Sequence, residues 1–354
     1  MENNKNILYC ILDWGLGHAT RSIPIIEDLI SKGNTITIGA DKAPYDLLKQ
    51  EFTDLNFIRI PSKEIKYTNK DSSSETGFLF KMFLQSPAYL KGLKDEQKLV
   101  EELVEKHCFN LIISDGRLGC YSTKVKSILV HHQLFLKSPI QEKLVNKQNH
   151  KKLNKFSEIW VPDYEDESKS LSGDLSHFSS QSNLDLNKVK FINPVSRFEK
   201  LDCKEKHLVI LLSGPEPQRT LLEDKLKQQV NNLTNLELDI EEDAKIYFVL
   251  GKPNNSNRIS NVPDKKEFRE NVIEYNHLPK NELNKLINSA KYVVSRSGYT
   301  TVMDLYKLRK KALFIPTPGQ TEQEYLSMYL ADKKMFYSVR QSEIDLTKNF
   351  NYLL

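Results

Sequence analysis

The sequence of 354 residues has no long hydrophobic run. A membrane-crossing helix needs about 20 consecutive, mostly apolar residues, and no stretch approaches that length. The chain opens with MENNKN and continues directly into an apolar segment, without the basic and apolar regions of a signal peptide. We therefore expect a cytoplasmic protein that does not span a membrane.

Cysteine is also scarce. The four cysteines form no CxxC motif, and this pattern predicts reduced, mostly buried thiols. The formal net charge of +4 is small, so composition gives no indication of a nucleic-acid partner.

Metal-binding motifs are missing as well. The nearest approach to a DxD motif is Glu237-Leu238-Asp239, which we interpret as a solvated acidic patch. His131 and His132 are adjacent, and neighbouring residues of a strand point to opposite faces. We therefore predict no metal site and no cofactor.

What the sequence contains is an alternation of short apolar strands with amphipathic helices, which is typical of doubly wound α/β domains with parallel sheets. The alternation breaks near residue 195 and restarts near residue 208. We predict one domain over residues 1–200, a second over 201–335, and a tail over 336–354 that packs toward the first domain. The predicted strands are Ile7–Leu12, Thr35–Gly39, Asn56–Ile60, Leu111–Ser114, Ser127–Val130, Ile159–Val161, Val189–Ile192, Leu208–Leu212, Ile246–Leu250, Val272–Tyr275, Tyr292–Val294 and Ala312–Ile315.

A glycine-rich loop follows the first predicted strand. Gly15 and Gly17 allow the backbone to approach a ligand closely, and the helix that follows favours anionic or polar groups at its N-terminus. A dinucleotide-binding fingerprint is the alternative, but that pattern needs a third glycine where Thr20 stands.

His18 lies in the first turn of that helix, at the edge of the sheet where open α/β folds bind ligands. A neutral imidazole there is suited to accept a proton from a hydroxyl. Asp115 ends another apolar strand at the same edge and would orient the ring. The alternatives are a histidine that caps the helix and an aspartate that caps a turn.

Two further strand–turn–helix junctions lie in the second half. Ser297 and Gly298 begin a helix whose free backbone N–H groups suit phosphate oxygens. Asp304 lies about two turns into that helix, where its carboxylate would contact ribose hydroxyls. Residues 316–324, PTPGQTEQE, form the second junction and are rich in groups that hydrogen-bond hydroxyls.

The motifs GLGHATRS (residues 15–22) and SGPEPQRT (residues 213–220), with SRSG before Asp304 and the proline–glutamine segment, resemble family 28 glycosyltransferases. That group contains the peptidoglycan N-acetylglucosaminyltransferase and the monogalactosyldiacylglycerol synthases. The resemblance covers essentially the whole chain. It implies a GT-B fold, in which two Rossmann-like doubly wound domains face each other across a cleft. It also implies an inverting hexosyl or N-acetylhexosaminyl transfer from a UDP-sugar.

The resemblance assigns roles to residues in both halves. His18 and Asp115 are the catalytic candidates, and Gly15, Gly17 and Arg21 belong to the acceptor-side loop. The predicted donor-binding residues are Ser213, Gly214, Arg219, Asn276, Ser297, Gly298, Thr300, Thr301, Asp304, Gln320, Gln323 and Glu324.

The sequence departs from the family pattern at two of these positions. Asp304 stands where the family commonly has glutamate, and Glu324 replaces the second glutamine of the usual pair. These differences leave the identity of the sugar open.

The acceptor is less defined. Residues 77–94 mix aromatic and aliphatic residues with lysine and contain no acid, and residues 137–155 are rich in lysine. These segments suit either the inner face of an anionic membrane or a core helix with a solvated basic face. We expect a lipid-linked sugar or envelope glycan first and a soluble metabolite second.

Two other functions fit the same fold. A UDP-sugar epimerase would convert the donor without an acceptor. A non-catalytic subunit would bind the nucleotide sugar without turnover.

Overall fold

The computed structural model describes residues 3–61, 86–137, 142–177, 183–234, 240–252 and 265–350. By their contacts, the residues of the chain divide into two compact units, Met1–Val195 and Ser196–Leu354. The division lies close to the boundary that we predicted at residue 200.

The first unit is a parallel sheet of seven strands in the order β3-β2-β1-β4-β5-β6-β7. The strand order reverses between β1 and β4, and ligands of open α/β sheets bind at the carboxyl ends of strands beside such a reversal. The strands are β1 (Asn6–Ile11), β2 (Thr35–Ala40), β3 (Asn56–Arg59), β4 (Leu111–Asp115), β5 (Lys126–Val130), β6 (Glu158–Val161) and β7 (Val189–Phe191).

Helices cover both faces of this sheet. Ile7, Tyr9 and Ile11 of β1 are buried in a cluster with apolar residues of the first helix, whereas the alternate residues Leu8 and Cys10 are buried in a second cluster with residues of the third helix. This alternation is the period-2 pattern of a strand buried on both sides. The helices are α1 (Gly17–Ser31), α2 (Lys42–Glu51), α3 (Ser86–His107) and α4 (Glu142–Leu153).

The second unit repeats the same architecture, with its strands in the order β10-β11-β9-β8-β12-β13-β14. Only β10 pairs antiparallel with its neighbour. The order reverses between β8 and β12, which again marks a ligand-binding edge. The strands are β8 (His207–Leu211), β9 (Ile246–Val249), β10 (Lys265–Arg269), β11 (Val272–Tyr275), β12 (Ala290–Ser295), β13 (Lys311–Phe314) and β14 (Tyr337–Ser338).

Five helices are described in this unit. They are α5 (Gln218–Asn231), α6 (Lys280–Asn288), α7 (Tyr299–Lys307), α8 (Thr321–Asp332) and α9 (Leu346–Phe350). Ile344, Leu346 and Phe350 of the tail are buried in the core of this unit with strand residues such as Ile210 and Phe248. That the tail packs toward the first domain stays a prediction.

One expectation changes in the structure. Cys10 and Cys120 are buried, but Cys108 and Cys203 are exposed, so the prediction of mostly buried thiols is wrong for two of the four. The acidic segment Glu237–Asp239 lies outside the described residues, as do parts of the basic segments 77–94 and 137–155. Among the described helices, none is long and apolar enough to cross a membrane.

Candidate active site

The glycine loop and the end of β4 meet at the edge of the first sheet. Ile11 pairs with Asp115 in the β1–β4 register, so the carboxylate stands beside the loop that leaves β1. Gly15 has φ +88°, a left-handed conformation that favours glycine, and α1 begins at Gly17. This turn places His18 in the first turn of α1, as predicted from the sequence.

The structure brings His18 and Asp115 into direct contact. His18 Nδ1 lies 2.7 Å from Asp115 Oδ1, and the carboxylate is fully buried. Because an ionised carboxylate can only accept, this contact favours a proton on Nδ1 and the lone pair of the neutral ring on Nε2. Among the described residues, none forms a hydrogen bond with Nε2, and the His18 side chain is 20% exposed. The imidazole is therefore oriented as a proton acceptor.

Arg21 completes the charge balance of this site. Its Nε donates to both Asp115 oxygens, at 3.0 and 2.9 Å, and its Nη2 also contacts Oδ1. Ser22 Oγ lies 3.0 Å from Asp115 Oδ2. Arg21 Nη1 also lies 3.1 Å from His132 Nδ1, which accepts this hydrogen bond. A buried carboxylate with an arginine partner and several donors stays ionised.

These contacts set the protonation states of the pair. Burial disfavours the charged carboxylate, but the Arg21 charge and the hydrogen bond from His18 hold the pKa of Asp115 well below its usual range. Burial and the nearby Arg21 charge lower the pKa of His18. The imidazole is thus neutral at pH 7, while the carboxylate beside it is ionised.

Gly116 explains how the ring fits. Its φ is +73°, and a Cβ at this position would lie 2.6 Å from His18 Cε1. Because any side chain would displace the imidazole, the Asp-Gly pair that ends β4 serves both the carboxylate and the ring.

In the second unit, most of the predicted donor residues lie at three junctions at the carboxyl edge of the sheet, which follow β8, β12 and β13. Ser213 and Gly214 follow β8 and are exposed. Gly298 caps α7 with no side-chain hydrogen bond, and a Cβ there would meet nothing within 4 Å. The first backbone N–H groups of α7 therefore begin beside open space, as a phosphate site requires. Thr300 and Thr301 are half-buried in this first turn.

Hydrogen bonds connect Ser297, which lies just before α7, to the loop between β13 and α8. Ser297 Oγ donates to the Gln323 backbone oxygen at 2.8 Å, and Gln323 Oε1 accepts from the Thr317 N–H at 2.9 Å. Gln323 Nε2 donates to Gln320 Oε1 at 2.6 Å, and Glu324 Oε1 accepts from the Gly319 N–H at 2.9 Å. The predicted sugar-contacting side chains thus brace the loop between β13 and α8.

Arg296 also stabilises the loop between β13 and α8. It is 1% exposed and donates to the backbone oxygens of Ile315 and Pro316 at 3.0 and 3.1 Å. Burial lowers the pKa of Arg296 to about 10.

Thr317 Oγ1 is buried, and no described residue forms a hydrogen bond with it, although it would lie 3.5 Å from a Cβ on Gly214. Sequence reasoning did not single out this hydroxyl.

Asp304 lies in the second turn of α7, as predicted, and is 8% exposed. Its Oδ1 accepts a hydrogen bond from Ser196 Oγ at 2.5 Å. Burial raises the pKa of Asp304 to about 6, against the opposing effects of the Arg197 charge and the Ser196 hydrogen bond. Burial therefore destabilises the ionised form of Asp304, and a carboxylate retained at such a cost indicates a ligand-binding role.

Two predicted donor residues, Arg219 and Asn276, form contacts within the second unit. Arg219 is 4% exposed and pairs with Glu223, at 2.9 Å, and with Glu216. Glu223 is shared with Lys227, at 2.6 Å, so the role of Arg219 as a diphosphate counter-charge stays a prediction. The Asn276 backbone oxygen accepts from the Lys252 N–H at 2.8 Å.

His132 is a site residue that sequence reasoning missed. The sequence suggested it only as a metal ligand, although it lies two residues after β5, the neighbour of β4 in the sheet. No group of three or more metal-binding side chains is found among the described residues.

Comparison with known proteins gives a consistent fold. Residues 219–353 match the glycosyltransferase family 28 C-terminal domain. A search of curated proteins gives no match to the chain.

Among solved structures, the chain is similar to the glycotransferase of kitacinnamycin, with a TM-score of 0.64, 11% identity and coverage of 100% of this chain and 90% of that one. It is also similar to Arabidopsis thaliana UGT89C1 complexed with UDP-L-rhamnose, with a TM-score of 0.62, 11% identity and coverage of 99% and 90%. MurG of Acinetobacter baumannii gives a TM-score of 0.52, 12% identity and coverage of 99% and 90%. The fold is therefore that of the GT-B glycosyltransferases, with two parallel-sheet Rossmann-like domains.

The contact between Gly116 and His18 gives a stability prediction with a matched control. Gly15 also has a left-handed φ, but a Cβ there would meet nothing within 4 Å. We expect Gly15→Ala to lower the free energy of unfolding by about 1 kcal/mol, the conformational penalty alone. Gly116→Ala should lower it by about 1–3 kcal/mol more, because the imidazole must also move.

Tryptophan fluorescence during urea unfolding measures both variants, because Trp14 and Trp160 both belong to the first unit. Equal losses for the two variants would show that His18 does not pack on Gly116.

Asp304 gives the second prediction. Its pKa of about 6 exceeds the usual 3.8, so the folded state binds more protons than the unfolded state between these values, and stability falls as pH rises through this window. Asp304→Asn removes this loss. We expect a gain of about 1–3 kcal/mol at pH 7 that vanishes near pH 4.

Calorimetric unfolding of the second unit tests this prediction. Asp224→Asn removes an exposed carboxylate from α5 and should change stability by less than about 0.5 kcal/mol at either pH. A loss of stability at pH 7 in Asp304→Asn would mean that the carboxylate is structural.

Proposed function

We propose that this chain is an inverting glycosyltransferase, which moves a hexose or an N-acetylhexosamine from a UDP-sugar to an acceptor hydroxyl. The observation that supports it most is the His18–Asp115 pair, because a neutral imidazole oriented by a buried carboxylate is suited to general-base catalysis. The family 28 match over residues 219–353 supports a nucleotide-sugar donor. That UGT89C1 is complexed with UDP-L-rhamnose supports UDP as the nucleotide of the donor.

The proposed donor site lies in the second unit. The N-terminus of α7 at Gly298 and the loop at Gly214 would hold the diphosphate through backbone N–H groups. Asp304 would accept hydrogen bonds from the ribose hydroxyls, and Gln323 would lie near the sugar. Helix N–H groups stabilise the negative charge that develops on the leaving UDP, so we propose that neither a metal ion nor a cofactor is needed.

The proposed reaction is a single displacement. The acceptor hydroxyl transfers its proton to His18 Nε2 while its oxygen attacks the anomeric carbon of the donor. The bond between that carbon and the UDP oxygen breaks, and UDP leaves with the electron pair. Attack from the side opposite UDP inverts the anomeric centre. Asp115 stabilises the imidazolium that forms, and Arg21 keeps Asp115 ionised throughout.

For the setting of the reaction, we propose cell-envelope glycan or glycolipid synthesis at the inner face of the membrane. The support is compositional. Helix α4 carries several lysines and only one acid, a pattern that suits an anionic membrane surface.

Removal of the base is the first functional test. His18→Ala should lower kcat by about 10²–10⁴, the usual range for a lost general base, and leave UDP affinity unchanged. His107→Ala removes an exposed imidazole on α3 and is the matched control. UDP release from a panel of UDP-sugars measures turnover, and calorimetry measures UDP binding. Near-normal turnover in a folded His18→Ala variant would refute the mechanism and direct attention to Asp13 or Asp115 as the base.

The pH dependence tests the role of Arg21. Only the neutral imidazole is a base, so the rate should fall as pH drops through the pKa of His18, which lies below 6.5. Arg21→Met removes a cation whose Nη2 lies 2.9 Å from His18 Nδ1, so the pKa of His18 should rise. The acidic limb of the pH–rate profile, where the rate falls with pH, should then move to higher pH.

Arg21→Lys retains the positive charge and should keep the limb close to that of the wild type. If the acidic limb of the pH–rate profile stays at the wild-type pH in a folded, active Arg21→Met variant, Arg21 does not control the protonation of His18.

A further inference from the structure

Residues 196–201 form a segment that is fixed along α6. The side chain of Asn288 binds this segment twice: its Oδ1 accepts from the Leu201 N–H at 2.8 Å, and its Nδ2 donates to the Glu199 backbone oxygen at 3.0 Å. Phe198, in the middle of the segment, is 2% exposed. A segment with such anchors keeps one conformation, so the side chains that it carries are preorganised for binding.

The first side chain of this segment contacts Asp304. Ser196 Oγ donates to Asp304 Oδ1 at 2.5 Å and accepts from the Phe198 N–H at 3.1 Å. A serine hydroxyl has one proton, and an ionised carboxylate can only accept, so these two contacts fix the direction of the O–H bond. Ser196 is 7% exposed, and Asp304 is 8% exposed. Asp304 Oδ1 is therefore bound within the fold before any ligand arrives.

The other oxygen of this carboxylate, Oδ2, is left for a ligand. Among the described residues, Ser196 is the one hydrogen-bond donor to the Asp304 side chain, and it contacts Oδ1. Arg197 and Lys307 act on Asp304 through their charges, but Lys307 Nζ lies 2.8 Å from Glu199 Oε1. A carboxylate oxygen of low exposure that lacks a donor is costly, and a hydroxyl of a ligand would supply one.

The position of Asp304 on α7 suits the ribose of a nucleotide whose diphosphate lies at the N-terminus of the helix. A helix rises about 1.5 Å per residue, so Asp304 lies about 9 Å beyond Gly298 along α7. Thr301 and Asp304 are three residues apart and share one face of the helix. Because Gly298 and Thr301 are half-buried, a ligand bound at Gly298 can extend along this face to Oδ2.

We propose that Ser196 is a positioning residue for the donor: it holds Asp304 Oδ1, so that Oδ2 binds a single hydroxyl of the ribose. A carboxylate with both oxygens free accepts from two vicinal hydroxyls, one on each oxygen. The proposal rests on the donor site described above and narrows it, because the ribose contact then depends on one hydroxyl. The site therefore also binds a deoxynucleoside diphosphate, provided that it retains this hydroxyl.

Calorimetry of the full-length wild-type chain tests the proposal with UDP, 2′-deoxy-UDP and 3′-deoxy-UDP. At pH 8 Asp304 is ionised, because its pKa is about 6. We expect one deoxy analogue to bind more weakly than UDP by about tenfold or more, the usual effect of a lost hydrogen bond to a charged group, and the other by about threefold or less. Losses of tenfold or more for both analogues, or for neither, would overturn the proposal.

Variants of Ser196 test its positioning role. Ser196→Ala leaves Oδ1 without its donor and free to bind the second hydroxyl, so the affinities of the two deoxy analogues should come within about threefold of each other. Ser196→Thr retains the hydroxyl and should retain the wild-type preference. Ser342→Ala removes an exposed hydroxyl elsewhere in the second unit and is the matched control. A wild-type preference in folded Ser196→Ala contradicts the proposal, and the wild-type measurement decides it even if neither Ser196 variant folds.

This proposal and the transferase function fail in different ways. A chain that binds UDP through one ribose hydroxyl but releases no UDP from any UDP-sugar would refute the transferase function and retain the role of Ser196. A chain that transfers sugar from a UDP-sugar but needs both hydroxyls equally would retain the transferase function and refute the role of Ser196. A chain that does not bind UDP would refute both.

Discussion

The buried carboxylate of Asp115 is the interaction on which the first site depends. A carboxylate without exposure to water is strongly destabilised unless it is paired and hydrogen-bonded. Here Arg21, His18 and Ser22 all satisfy it, and all three lie in the first two turns of α1. The ion pair therefore fixes α1 against the end of β4 and also orients the imidazole. The same contacts of Asp115 stabilise the fold and orient the proposed base.

The second unit uses the same topology for different chemistry. Its sheet reverses between β8 and β12 as the first reverses between β1 and β4, but at its edge the N-terminus of α7 begins at Gly298 beside open space, and no histidine–carboxylate pair is found there among the described residues. Arg296 supports the loop between β13 and α8 through carbonyl oxygens. Backbone N–H groups are suited to stabilise the negative charge that the diphosphate gains as it leaves. The His18–Asp115 pair is suited to remove a proton. The division of labour that we propose follows from this difference.

Much of this was accessible from sequence. Parallel strands buried on both faces have strong apolar signals, so the central strands and the ends that carry His18, Asp115 and Gly298 were predicted. The edge strands of the second sheet were not, because β10 (Lys265–Arg269) is rich in charge and β14 has only two residues. Side-chain partners of charged groups were also inaccessible. The sequence does not show that Arg219 pairs with its own helix or that His132 accepts from Arg21, since both depend on rotamers and packing.

The central claim is that Asp115 holds a neutral imidazole with its free lone pair on Nε2. Nitrogen NMR of the full-length protein, with His18 assigned by comparison with the His18→Ala variant, measures this directly. The account predicts that at pH 7 Nδ1 carries the proton and Nε2 does not, and that the ring titrates below pH 6.5. A proton on Nε2 at pH 7, in either the other tautomer or the imidazolium, would contradict it.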